Sequence, residues 1–90
     1  TAFPYMYTDK PEHIELKCKN AVIDDIVDWF GAECTIKQFD DEYVIATVTA
    51  SPTAMQYWAM QYGNSVEVLA PASLRAVVAK NALELAKKYQ

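Results

Sequence analysis

The order of hydrophobic and polar residues divides the chain into short strands and helices. Apolar and polar positions alternate in some segments, which is typical of a strand with one buried face. Other short apolar runs are bounded by turn residues, as strands also are. Four segments are therefore predicted to form strands, at residues 14–19, 34–39, 42–50 and 65–69. The Asp40-Asp41 pair lies between the second and third of these and predicts a tight turn.

A first helix is predicted between the first two strands. Apolar residues recur there at intervals of three and four over Val22–Phe30, and three aspartates take the opposite side. This spacing predicts an amphipathic helix whose acidic side faces water rather than a metal ion. Asn20 is predicted to cap the beginning of this helix, and Gly31 to cap its end.

Two more helices follow the third and fourth strands. Ser51 and Pro52 place a hydroxyl N-cap before a proline at the first helical position, which predicts a helix that Gly63 closes. Pro71 opens the last helix, which is predicted to run to Gln90. The apolar seam of this last helix is predicted at Leu74, Val77, Val78, Leu85 and Tyr89.

The order of elements is β-α-β-β-α-β followed by a helix, and it predicts a single α+β domain. The arrangement expected is ferredoxin-like, a βαββαβ four-stranded antiparallel sheet with two helices on one face, plus the C-terminal helix. In that topology the third strand lies between the first and the second. The predicted divisions are an extended aromatic arm at 1–12, the βαββαβ core at 13–70 and the C-terminal helix at 71–90.

Two helices cover only one face of such a sheet, which leaves the other face to be explained. A contiguous apolar surface of this kind often marks an interaction site. Two alternatives stay open, since the face is covered either by the chain's own last helix or aromatic arm, or by another domain or a second copy. The uncovered face is predicted to carry Lys17, Lys37, Phe39, Tyr43, Ile45, Glu67 and Leu69.

Charge and composition narrow the class of function. The 90 residues include 8 basic and 12 acidic side chains, for a net charge of −4, and 52% are hydrophobic. A protein that binds duplex DNA through its phosphates needs clustered Lys and Arg, so direct DNA binding by this chain is not expected. No run approaches the ~20 apolar residues that cross a bilayer, and we expect a cytoplasmic protein without membrane contact.

The residues needed for catalysis or metal binding are few. His13 is the only histidine, and Cys18 and Cys34 are the only cysteines, too few and too widely spaced for a structural zinc site. The fold expected above holds the two cysteines too far apart for a disulfide, so both are predicted to be reduced. No nucleophile–base pair and no glycine-rich phosphate loop is visible. We therefore expect no enzyme activity, no metal and no cofactor.

The strand EYVIATVTA and its acidic surroundings do not favour an RNA recognition motif.

The segment Tyr57–Arg75, YWAMQYGNSVEVLAPASLR, resembles the C-terminal extension (WCX-type) domain of bacterial WYL-domain transcriptional regulators. The matching features are Trp58 on a helix, then Gly63, the strand around Val68, and the proline, leucine and arginine that follow. The aromatic arm, the end of the first helix and the Asp40-Asp41 hairpin fit the same pattern, so the resemblance covers nearly the whole chain. It departs from the pattern at Ala70, where the family usually has an acid.

This resemblance implies a regulatory role and particular partners. The chain would be the excised C-terminal part of a longer regulator, whose WYL and helix-turn-helix domains would be its partners, and which would form a homodimer. It would act in transcription regulation through interdomain or dimer contacts and take part in the response to an effector. Arg75 is carried into the candidate partner surface by the resemblance. The alternative function is a small-molecule-binding regulatory module of ferredoxin-like build.

Overall fold

The computed structural model describes residues 10–90, so the predicted arm lies outside the described residues except for its last three positions. The strands are β1 (Glu12–Lys19), β2 (Thr35–Gln38), β3 (Tyr43–Ala50) and β4 (Val66–Ala70), and the helices are α1 (Ile23–Phe30), α2 (Pro52–Gln61) and α3 (Ala72–Lys87). Single 3-10 turns at Asn20–Val22, Gly31–Glu33 and Gly63–Ser65 join some of them. No helix in this part of the chain is long and apolar enough to cross a membrane.

The four strands form one antiparallel sheet in the order β2-β3-β1-β4. The α+β class is confirmed, and β3 lies between β1 and β2 as the sequence predicts. The long strands β1 and β3 pair over eight positions, with Ile14 opposite Val48 and Leu16 opposite Ala46. Because these pairs bring apolar side chains to the same face, the register fixes which side of the sheet is buried.

The buried face of the sheet packs against the helices. Ile14, Leu16 and Cys18 of β1 are 0% exposed, and they share a core cluster with Met55 and Trp58 of α2. Each Leu or Ile side chain that is fully buried in this way contributes about 1.5–3 kcal/mol of transfer free energy. The rest of the core is supplied by Val22, Ile26, Val44, Ala46, Val48, Ala50, Ala59, Val66, Val68 and Leu74. The core therefore lies on one side of the sheet only.

The helix ends follow three of the four predicted caps. Gly63, with a φ of 54°, comes directly after Tyr62, the C-cap of α2. The Oγ of Ser51 accepts a hydrogen bond of 3.2 Å from the Ala54 amide, and Gly31 ends α1 with a φ of 68°. Asn20 makes no side-chain cap, so that prediction is wrong. Its side-chain amide instead donates to the carbonyl of Asp41 at 2.9 Å, which fastens the end of β1 to the β2–β3 turn.

The seam predicted for the last helix is mostly wrong. Leu74 is buried and Val78 packs against the core, but Val77, Leu85 and Tyr89 are 38%, 46% and 84% exposed. The physical reason is loose packing between α2 and α3, since open grooves separate Val77 and Leu85 from the side chains of α2. The helix also ends at Lys87 rather than Gln90.

The cap at Ser51 yields the first prediction. Ser51→Ala removes the only oxygen that its side chain offers to the Ala54 amide, and we expect unfolding to become easier by about 1 kcal/mol. Urea unfolding followed by circular dichroism measures this change. Ser73→Ala is the matched control, because Ser73 is exposed in the first turn of α3 and its loss is expected to cost less than about 0.5 kcal/mol. Equal effects of the two substitutions would contradict the capping role.

Candidate interaction surface on the open sheet face

The second face of the sheet carries the side chains that the sequence predicts there. Lys17 lies opposite Ile45 on β3 and opposite Glu67 on β4, and Ile45 lies opposite Lys37 on β2. Residues that are directly paired share one face of a sheet, so these four form a continuous band across it. Alternation places Tyr43 and Leu69 on this same face, and we call the whole the open face.

Three of its side chains make direct contact. The Nζ of Lys17 lies 4.5 Å from the centre of the Phe39 ring and 4.8 Å from the centre of the Tyr43 ring. These distances are within the range of cation–π attraction. Lys17 is half-buried, because its aliphatic stem lies along the sheet while the ammonium reaches the rings. We refer to Lys17, Phe39 and Tyr43 as the lysine–aromatic cluster.

The hairpin turn brings the two rings of this cluster together. The carboxylate of Asp40 accepts hydrogen bonds from the amides of Glu42 and Tyr43, each at 2.8 Å. The amide of Phe39 also donates to the carbonyl of Tyr43 at 3.0 Å. The turn predicted at Asp40-Asp41 is therefore present, and it holds Phe39, which is 55% exposed, beside Tyr43.

Arg75 lies at the edge of the sheet rather than on its open face. Its Nη1 donates to Glu67 Oε2 at 2.6 Å and to the carbonyl of Val68 at 2.9 Å. The two side chains of the ion pair are about half exposed, so the pair contributes at most about 1 kcal/mol. The bond to the backbone also occupies an outward-facing group of an edge strand, which hinders unwanted strand pairing. Arg75 thus extends the candidate surface around β4 through Glu67.

The open face is a basic region of an acidic chain. Its strands carry three positive charges, at Lys17, Lys19 and Lys37. They carry two acids on the same face, Glu15 and Glu67, and Glu67 forms an ion pair with Arg75. Lys19 was not among the residues predicted for the surface, although it lies opposite Tyr43 and the alternation of β1 places it on the same face. The charge of the whole chain, −4, conceals this local excess of lysine.

Four hollows among residues 10–90 all lie away from the lysine–aromatic cluster. Two shallow grooves of about 370 and 400 Å³ lie beside α3, one against β4 and Arg75 and the other against α2. A third of about 120 Å³ lies near Glu12, and a fourth hollow of about 10 Å³ lies between α1 and α2. Lys17, Phe39, Tyr43 and Ile45 line none of the four. The lysine–aromatic cluster thus lies outside these four hollows, and an exposed sheet face suits contact with a macromolecule better than enclosure of a small one.

The groups that could do chemistry are scattered. His13 is exposed, and its Nδ1 lies 3.2 Å from the Thr49 hydroxyl. Cys18 and Cys34 are free thiols, and burial raises the pKa of Cys18 to about 12. A thiol with so high a pKa is protonated and unreactive at neutral pH. Among residues 10–90, no three His, Cys, Asp or Glu side chains are grouped as metal ligands would be.

Aromatic side chains hold the two helices together on the opposite side of the sheet. The ring of Trp58 meets that of Phe30 at 5.0 Å in an edge-to-face arrangement and that of Tyr62 at 4.6 Å. Burial raises the pKa of the Tyr62 phenol, and a hydrogen bond to Asp25 and the charge of that carboxylate add to the shift. The indole nitrogen of Trp58 is buried without a hydrogen-bond partner, a condition that costs about 1–3 kcal/mol in a protein interior.

Comparison with known proteins identifies the family. The profile of the WCX domain matches residues 10–86, which is most of the chain. The chain belongs to the WCX domain family. The resemblance seen in the segment Tyr57–Arg75 is thereby confirmed at the level of the domain. No curated protein matches the chain.

The lysine–aromatic cluster yields a second prediction. Lys17→Gln removes the cation from both rings, and we expect a loss of about 0.5–1 kcal/mol of stability. In a double-mutant cycle with Phe39→Ala, the two substitutions are expected to be less than additive, because they remove the same contact. Lys19→Gln with Phe39→Ala is the control cycle and is expected to be additive. A coupling of the same size in both cycles would contradict the cation–π assignment.

The buried thiol yields a third prediction. The pKa of Cys18 is raised from 9.0 to about 12 in the folded chain, so the unfolded chain loses this proton first. The stability contributed by the neutral thiol is fully present below pH 9 and falls as the pH rises towards 12, by at most about 1.4 kcal/mol per pH unit. Urea unfolding at a series of alkaline pH values measures this slope.

Two cysteine variants separate this effect from the titration of other groups. Cys18→Val keeps an apolar side chain of similar size in the core and is expected to flatten the alkaline decline. Cys34→Ala retains Cys18 and is expected to keep the decline. A decline that is unchanged in Cys18→Val would show that other groups cause it.

Proposed function

We propose that this WCX domain is the accessory domain of a WYL-type transcriptional regulator and acts through protein–protein contact at its open face. The observation that carries the proposal is the open face itself, on which lysines and large aromatic side chains lie side by side. Protein interfaces are typically enriched in aromatic residues at their centre and have a polar rim. Membership in the WCX family supports the accessory role.

The proposal extends to the partners and to the class of protein. We propose a homodimer in which the WYL and helix-turn-helix domains of the same longer chain are further partners, in the cytoplasm, with no catalytic activity. The strand order β2-β3-β1-β4, with helices after β1 and β3, supports a ferredoxin-like classification of the fold.

A second candidate function is a small-molecule-binding regulatory module. The grooves of about 370 and 400 Å³ beside α3 favour it, since these volumes lie at the lower end of the range for ligand sites. A thermal-shift screen of metabolites separates the two functions, because a ligand that binds the native state raises Tm. A reproducible shift with one metabolite would favour the module, and its absence together with dimerisation would favour the contact surface.

A fourth prediction tests the open face as a contact surface. We expect the chain to be a dimer by light scattering at micromolar concentration, and Phe39→Ser to weaken the dimer by tenfold or more, as truncation of a central aromatic residue does. Leu83→Ser is the matched control, because Leu83 on α3 is exposed to nearly the same extent, 57% against 55%, and lies away from the sheet. The proposal fails if the chain is monomeric, or if both variants weaken the dimer equally.

A fifth prediction concerns nucleic acid. The three lysines of the open face are too few to bind duplex DNA through its phosphates, and we expect no measurable affinity for a random duplex at physiological salt. Fluorescence anisotropy with a labelled duplex measures this. Tight binding that weakens steeply with salt would overturn the assignment of the open face to a protein partner.

A further inference from the structure

A groove in two adjoining parts lies between α2 and α3. The first part, of about 120 Å³, lies between Pro52 and the first turns of α3. The second part, of about 400 Å³, lies between Met60 and the second half of α3. Gln56 lines both parts, and its side-chain oxygen accepts a hydrogen bond of 3.3 Å from the amide of Asn81. We call the two parts together the α2–α3 groove.

Large apolar side chains of this groove are exposed in the described part of the chain. Val77 in the first part is 38% exposed, and Leu85 and Tyr57 in the second part are 46% and 54% exposed. Helices that pack directly on each other leave few such spaces, because protein interiors are close-packed. Neighbouring exposed apolar side chains often mark a contact site, so the groove is suited to an apolar segment.

The groove begins beside the residue where the aromatic arm meets the sheet. Glu12, the first residue of β1, lines the first part of the groove together with Ser73. The arm outside the described residues has the sequence TAFPYMYTD. Its Phe3, Tyr5 and Tyr7 are spaced two apart, and side chains with this spacing lie on the same side of an extended chain. An apolar side of the arm is therefore available next to an apolar groove.

The arm is long enough to follow the whole groove. An extended chain spans about 3.3 Å per residue, so Tyr5 can lie about 23 Å from Glu12. An α-helix rises about 1.5 Å per residue, so Leu85 lies about 18 Å from Ser73 along α3. The arm is also covalently attached beside the groove, which gives it a millimolar effective concentration there. A separate partner has no such advantage, and this difference favours the arm as the occupant.

We propose that the aromatic arm binds in the α2–α3 groove of its own chain, with the rings of Tyr5 and Tyr7 against Val77 and Leu85. The arm then covers the apolar side chains that the loose packing of α2 and α3 leaves exposed. It also lies away from the lysine–aromatic cluster, so the open face stays available to another protein. This binding site goes beyond the proposed function and does not depend on it.

Nuclear magnetic resonance of the full chain tests where the arm lies. We expect nuclear Overhauser contacts from the ring protons of Tyr5 and Tyr7 to the methyl groups of Val77 and Leu85. Leu83 is the control on the same helix, since it is 57% exposed and lines none of the four hollows among residues 10–90, and we expect no contacts to it. A sample mixed from isotope-labelled and unlabelled chains is expected to show none of these contacts between chains.

Urea unfolding gives an independent test. Tyr5→Ser with Tyr7→Ser removes two rings of the arm, and Leu85→Ser removes one wall of the groove. If the arm and the groove are in contact, the combined variants lose less stability than the sum of their separate losses, because both remove the same contact. The same arm variant combined with Leu83→Ser is the matched control and is expected to be additive.

The outcomes that contradict the proposal are distinct. Ring contacts from the arm to Phe39 or Ile45 would place the arm on the open face instead. Contacts to Leu85 that occur only between chains would assign the groove to a second copy. The absence of arm contacts to Val77 and Leu85, or additivity with Leu85→Ser, would show that the arm does not occupy the groove.

Discussion

The structure depends on the pairing of β1 with β3. Eight pairs of residues in register place Ile14, Leu16 and Cys18, together with Val48, Ala46 and Val44 opposite them, on the side that faces the helices. The residues that alternate with them lie on the opposite side. A shift by one residue would exchange the two sets and expose the core. This one register therefore defines the hydrophobic core and the open face together, and the proposed function follows from the second of these.

The open face combines large aromatic side chains with lysines. Its aromatic rings would be poorly solvated alone, and its lysines would repel one another if they were crowded. The lysine–aromatic cluster reduces both the poor solvation of the rings and the repulsion between the lysines, because the ammonium of Lys17 lies over the rings of Phe39 and Tyr43. A partner that carries carboxylates near apolar groups would complement such a surface in charge and in area.

Much of the fold can be predicted from the sequence because its signals are local. Alternation defines the four strands to within about two residues. The caps at Ser51 and Gly31 and the Asp40-Asp41 turn each depend on residues only a few positions away in the chain. The cap at Asn20 and most of the apolar seam of the last helix are predicted wrongly for a related reason. The side chain of Asn20 has a distant partner, the carbonyl of Asp41, and the burial of α3 depends on how closely α2 packs beside it. Neither feature can be predicted from residues that are close in the sequence.

The candidate surface is predicted in part, again because part of its signal is local. Alternation alone places Lys17, Lys37, Tyr43 and Ile45 on one face, and the turn adds Phe39. The contact of Lys17 with both rings depends on side-chain conformations that no spacing defines. The bond of Arg75 to the backbone of β4 depends on how a helix returns over the sheet edge. The unpaired indole of Trp58 has no signal in the sequence, because it arises from the packing of two helices.

The central claim is that the open face meets another protein surface, and a concentration series of nuclear magnetic resonance spectra tests it most directly. If a second copy covers this face, the ring resonances of Phe39 and Tyr43 and the methyl resonances of Ile45 will shift together and saturate as the molecular mass doubles. The methyl resonances of Leu83 and Leu85 on α3 will stay in place. Spectra that do not change with concentration, or that change only on α3, would contradict the claim.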